Sequence, residues 1–159
     1  MAAKKKNPPK KTALKKAKKA KKAKNVRKPT RAEPQGFRAR ACHASFTVND
    51  LAKSIAFYCT GMGFTMREEW KHEGKLVGVE LRAGTVELYL SQDDGAKGWD
   101  RKKGVATSIS FITARRVDDV AARLKKAGYA LLSEPAEMPW GARAFRVADP
   151  DGFLIGISN

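Results

Sequence analysis

Few side chains in this sequence have the chemistry of a reactive site. There are two histidines, His43 and His72, and two cysteines, Cys42 and Cys59. Two thiols are too few for a disulfide framework, which fits a reducing compartment and a cytoplasmic protein. His72 falls in the polar run His72-Glu73-Gly74-Lys75, which reads as a hairpin connection, so its ring is expected at the surface. His43 opens an alternating segment in which Ser45 and Thr47 lie on its own side, and Glu87 and Tyr89 share one side of another. An imidazole and a carboxylate are common metal donors and proton-transfer groups, which makes His43 and Glu87 the first candidates.

A different chemistry sits at the N-terminus. The chain has 159 residues and a formal net charge of +17, yet residues 1–40 alone carry 13 Lys, 4 Arg and the single acid Glu33. The remaining 119 residues are near neutral, with 16 basic and 15 acidic side chains. Within the arm, Lys15, Lys16, Lys18, Lys19, Lys21, Lys22 and Lys24 are spaced only by Ala. Like charges repel there, no apolar face exists, and Pro8, Pro9, Pro29 and Pro34 interrupt any helix. A disordered arm over 1–40 is expected, binding nucleic acid or another polyanion without base readout, as a nonspecific tether. No apolar run approaches the roughly 20 residues of a membrane span, so a soluble protein with no membrane partner is expected.

The elements that must position the candidates begin near residue 41. Ala41–Val48 reads as a strand, Asn49-Asp50 as an N-cap, and Leu51 to about Thr60 as a helix with Leu51, Ile55 and Tyr58 on one face. Gly61-Met62-Gly63 ends that helix, and Phe64–Lys71, Leu76–Arg82 and Thr85–Ser91 follow as antiparallel strands. The order then repeats. Ala106–Thr113 is a strand and Val117–Ala127 a helix, followed by strands at about Ala130–Glu134, Arg143–Ala148 and Phe153–Ser158. Met138-Pro139-Trp140-Gly141 and Asp149-Pro150-Asp151-Gly152 are turns. The chain is thus predicted to be α+β, built of two βαβββ modules at about 41–92 and 104–158.

On these residues the chain resembles the vicinal oxygen chelate superfamily, the glyoxalase, bleomycin-resistance and extradiol-dioxygenase group. The carriers are His43 to Leu51, Ser54-Ile55-Ala56-Phe57-Tyr58, Gly61-Met62-Gly63-Phe64, Trp140-Gly141, Arg143 and Asp149 to Phe153. The resemblance covers about residues 41–158 and implies curved, mixed half-barrel sheets around a ligand cavity. In metal-using members the ligands come from the first and last strand of each module. His43 and Glu87 match two of those positions, whereas the second module offers Thr107 and Gly156, neither a usual ligand. A catalytic divalent metal normally takes three protein ligands, so no cofactor is expected, with a divalent metal as the alternative.

Alternation adds Thr47, Tyr89, Thr107, Ile109 and Phe111 to the expected cavity wall, and the resemblance adds Trp140 and Arg143, with Trp70 or Trp99 as a lid. The leading expectation is a metal-independent small-molecule binder of the bleomycin-resistance type, a homodimer, and not an enzyme. One alternative is a metal-dependent glyoxalase-like lyase or isomerase using Glu87 as base, with His43 and Glu87 among the metal ligands. The other is a polyanion-tethered accessory protein acting through the arm.

Overall fold

A computed structural model of the chain describes residues 41–159, and the Lys-rich arm, including Lys15 to Lys24, lies outside them. Element order is β1 (Ala44–Val48), α1 (Leu51–Ala56), β2 (Thr65–His72), β3 (Lys75–Ala83), β4 (Val86–Gln92), β5 (Ser108–Ile112), α2 (Val117–Lys126), β6 (Leu131–Glu137), β7 (Arg143–Ala148) and β8 (Leu154–Ser158). Two four-stranded mixed sheets result, ordered β1-β4-β3-β2 and β5-β8-β7-β6, with β1–β4 and β5–β8 parallel and the rest antiparallel. The α+β class and the repeated βαβββ order are therefore observed.

Local chemistry explains the elements. Asp50 caps α1 with its side chain accepting from the Lys53 amide, as its residue type predicts. The helix does not simply run on to Thr60: from Phe57 to Met62 it widens into a π-helix and stops at Gly63 in the left-handed region. The β2–β3 hairpin turns on two residues, Glu73 and Gly74, both with positive φ, so His72 ends the strand instead of sitting in the turn. β6 runs three residues beyond the expected Glu134, with Pro135 accommodated where the pairing with β7 shifts register.

Burial sorts each strand into two faces. Phe46, Val48, Val79, Leu81, Leu88 and Leu90 of the first sheet and Phe145, Val147, Ile155 and Ile157 of the second are buried. With Leu51, Phe57 and Tyr58, and with Val117, Ala121 and Leu124 of α2, they form one hydrophobic cluster. The helix-side faces of both sheets thus meet in a single core, and the opposite faces turn away from it.

The segment joining the modules is fastened by an ion cluster. Asp93, 4% exposed at the end of β4, accepts from the Gly95 amide, from Arg101 and from the equally buried Lys103 ammonium. The Lys103 hydrogen bond, the Gly95 amide and the two cations hold the Asp93 carboxyl down to about 2. A group depressed in the folded state stabilises above its unfolded value, and that contribution is lost as pH falls through the folded one. Urea denaturation from pH 5 to 2 should therefore show Asp93→Asn less stable than wild type at pH 5, with the gap closing toward pH 2. A gap independent of pH would contradict this account.

Candidate functional site

The open face of the first sheet carries three cross-strand rows. Ser45, Tyr89, Glu80 and Glu68 form the central row, and Thr47, Ser91, Gly78 and Trp70 the next. On the other side lie Glu87, Arg82 and Thr65, with His43 joining from just before β1. The His43 Nδ1 stands 2.9 Å from Oε2 of Glu87, and the imidazole stacks on Tyr89 with centroids 5.3 Å apart. Trp70 meets the same Tyr89 ring edge-on at 5.7 Å. Gly78 permits this, because a Cβ there would lie 2.7 Å from Trp70 Cε3. Partial burial, with the carboxylates of Glu87, Glu80 and Glu68 nearby, pushes the Tyr89 hydroxyl up, so it stays a proton donor at neutral pH.

The second sheet presents a different surface. Its open face pairs Ser110 with Gly156 and Arg146, and Ser108 with Leu154. Ser110 and Gly156 thus stand beside one exposed cation, with the exposed apolar side chains of Leu154 and Ile112 on the same face. Gly156 does stand on this face, but its neighbour is Ser110, not Thr107, and a Cβ on Gly156 would meet the Ser110 hydroxyl at 2.9 Å. Neither residue replaces the missing donors.

Several expected cavity residues lie elsewhere. Thr107 precedes β5, donating weakly to the Val105 carbonyl. Ile109 and Phe111 pack against the core, where Phe111 meets Phe64 at 5.5 Å, because the partly buried positions of β5 fix the opposite parity. Arg143 shares its side of β7 with Phe145 and Val147 and binds Asp118 of α2 through two nitrogens, at 2.8 and 2.7 Å. It holds strand to helix and stays away from the open face. Trp140 is 73% exposed in its turn, and Trp99 lies over Gly95 in the connecting segment. Thr47, by contrast, is on the open face with His43, Glu87 and Tyr89, as expected.

Arg146, Glu80 and Glu68 also stand on the open faces, and the sequence reading named none of them. Parity held the signal: in Arg143-Ala144-Phe145-Arg146-Val147 the two buried apolar residues assign Arg143 to the core side and Arg146 to the other.

As a metal centre the site is incomplete. His43 and Glu87 are two donors already joined to each other, and no group of three His, Cys, Asp or Glu able to hold a metal occurs among the described residues. Three protein ligands are the usual requirement for a catalytic divalent ion, so the donor set of one chain does not fit one. What the arrangement can do is present an aromatic platform rimmed by carboxylates, with a hydrogen-bonding imidazole at its edge.

Comparison with known proteins bears on the family of the chain. The family model "Glyoxalase/Bleomycin resistance protein/Dioxygenase superfamily" matches residues 40–157. Virulence protein STM3117 of Salmonella typhimurium is 25% identical over 123 residues, covering 76% of this chain and 83% of its own. Bleomycin resistance protein of Geobacillus stearothermophilus is 28% identical over 122 residues, covering 69% of this chain and 89% of that protein. A superfamily member from Sphaerobacter thermophilus, of known crystal structure, aligns with TM-score 0.59 and 28% identity, over 74% of this chain and 96% of that one.

Proposed function

The chain belongs to the glyoxalase/bleomycin resistance protein/dioxygenase superfamily, and from that premise we propose that it binds a small polar-aromatic molecule without a metal and without making bonds. The observation that carries this reading is the His43–Glu87–Tyr89–Trp70 cluster on an open sheet face whose second-module counterpart, Ser110 and Gly156, supplies no donors. Tyr89 and Trp70 offer stacking area, while Glu87, Glu80 and the His43 imidazole take polar groups of the ligand. The bleomycin resistance proteins among its relatives make a small-molecule ligand a reasonable class for this chain as well.

The same reading includes a homodimer. Both open faces turn away from the one shared core, so a ligand lying on either is enclosed only when another surface covers it. A second copy, offering the Ser110–Gly156–Arg146 face to the Glu87–Tyr89–Trp70 face, supplies small residues for clearance and a cation for the carboxylates.

Metal titration tests the proposal. Wild-type protein exposed to Ni, Zn, Mn or Fe and then desalted should retain no stoichiometric metal, and calorimetry should find no site of micromolar or better affinity. Stoichiometric uptake that disappears in Glu87→Ala would replace this reading with that of a metal-dependent lyase or isomerase in which Glu87 serves as base.

A further inference from the structure

Where Thr47 ends the open face of the first sheet, at the opposite end of β1 from His43, the segment between the modules forms a second concave feature. It has a volume of about 360 Å³ and is lined by Thr47, Arg101, Lys102, Lys103, Thr107 and the side of Phe153, among others. A volume of this order is at the lower end of small-molecule sites, roughly 300–1,000 Å³. None of its lining residues is acidic. An adjoining depression of about 310 Å³ shares Thr47 and Arg101 and adds Lys97, Asp93 and Asp94. Across the two, four cations meet two carboxylates, and both carboxylates are engaged: Asp94 by the Ala96 amide, Asp93 by the Gly95 amide, Lys103 and one nitrogen of Arg101. That nitrogen is Nη2, which leaves the rest of the guanidinium fork for another anion.

The backbone of the same wall turns through a glycine and, beside the groove, through one residue in a costly conformation. Gly104 has φ +68, and a Cβ there would lie 2.8 Å from the Gly152 carbonyl and from Phe153 Cα. Two residues on, Ala106 has φ 56, the left-handed region that a residue with a Cβ rarely adopts. Strain of this kind persists where surrounding contacts impose it, and it collects at binding sites. The surroundings are on view: Gly152–Phe153 leaves no room for a Cβ on Gly104, and Phe153 is stacked on Phe46 at 4.2 Å. The wall is therefore prearranged, with Arg101 anchored through Asp93 at its rim.

We propose that this groove binds the phosphate group of a small organic phosphate, with Arg101 and Lys102 as its charge partners and the Thr47 and Thr107 hydroxyls as hydrogen-bonding groups. The planar guanidinium suits two phosphate oxygens at once, and threonine hydroxyls complete an oxyanion's remaining contacts. Phe153 gives an apolar wall for the organic part. This assignment goes beyond the ligand proposed for the Tyr89 platform and stands or falls separately from it.

Phenyl phosphate titrated into the full chain, followed by amide resonances, is the test. Saturable shifts are expected at Thr47, Gly104 and Thr107, with none there for phenol. Arg101→Gln and Lys102→Gln should each weaken binding at least fivefold, whereas Lys75→Gln in the distant β2–β3 hairpin should not. Lys102 makes no ion pair among the described residues, so its substitution remains informative if loss of Arg101 disturbs the Asp93 cluster. Equal affinity in wild type and Lys102→Gln overturns the assignment, as do shifts confined to residues 1–40. A DNA duplex that moves these amides when phenyl phosphate does not would overturn it too. Metal uptake and the Tyr89 platform are untouched by any of these outcomes.

Discussion

Replacing Asp149 by alanine should cost the fold about 3–4 kcal/mol, read as a shift of the urea midpoint, because it strips partners from several polar groups at once. Asp149 is 4% exposed. Its Oδ2 accepts from the hydroxyl of Tyr58, which is fully buried, at 3.0 Å, and its Oδ1 accepts the amides of Asp151 and Phe153 at 3.0 and 2.8 Å. Removing one carboxylate therefore orphans a buried phenol and loosens the turn that delivers β8. Tyr58→Phe, which removes only the hydroxyl, should cost about 1–2 kcal/mol.

Proton linkage separates this cause from generic loss of packing. Burial pushes the Asp149 carboxyl up, against the hydrogen bonds that pull it down. A carboxyl raised in the folded state binds its proton more tightly there than when unfolded, so its contribution is greatest in acid and declines as pH rises through the folded value. The stability gap between wild type and Asp149→Ala should consequently narrow from pH 3 upward, opposite in sign to the Asp93 gap. A gap that widens with pH would mean that Asp149 acts chiefly as a charge.

The largest effect on polyanion binding is expected from residues 1–40. If about ten of their cations meet phosphates, log K falls with log salt at a slope of roughly −9, a loss of about 10⁵ in affinity between 50 and 200 mM salt. Fluorescence anisotropy with a labelled duplex of arbitrary sequence measures it. A chain beginning at residue 41 can be compared directly, since residues 39–159 form a compact unit of their own. With 16 basic and 15 acidic residues after position 40, that chain should lose both the affinity and the slope. Retention of either removes the tether from consideration.

Most of the fold was legible in the sequence because apolar alternation is a short-range signal. Phe46 and Val48, Leu88 and Leu90, Ile155 and Ile157 each announce a strand with one buried face, and Asp50 announces the helix after the first. What escaped prediction depends on longer-range packing. The widening of the helix at Phe57 has no marker in residue type. Nor does residue type show that β6 runs on past Pro135, which sits where the pairing with β7 shifts register.

The site was half legible for a related reason. His43, Thr47, Glu87 and Tyr89 shared a face as alternation predicted, since Phe46, Leu88 and Leu90 define the opposite one beyond doubt. In β5 the apolar residues Ile109 and Phe111 suited a cavity wall as well as a core, and only pairing with β8 decided between them. Arg143 was misplaced because the short motif around it weighed more than the parity of Phe145 and Val147. Proximity of the 101–105 segment to Thr47 is a tertiary fact with no trace in either stretch alone.

The single core has a consequence for how such a chain could have arisen. Each βαβββ half spends its apolar face on the other half, with Tyr58 of one fastened to Asp149 of the other. A half-length precursor would have exposed that entire face and would have needed to pair with its own copy through it. Joining two such halves across residues 93–107 makes their association intramolecular, with the effective concentration of the second half set by the connecting segment. With the core shared, the outward faces are left free to differ, one carrying His43, Glu87 and Tyr89, the other Ser110, Gly156 and Arg146.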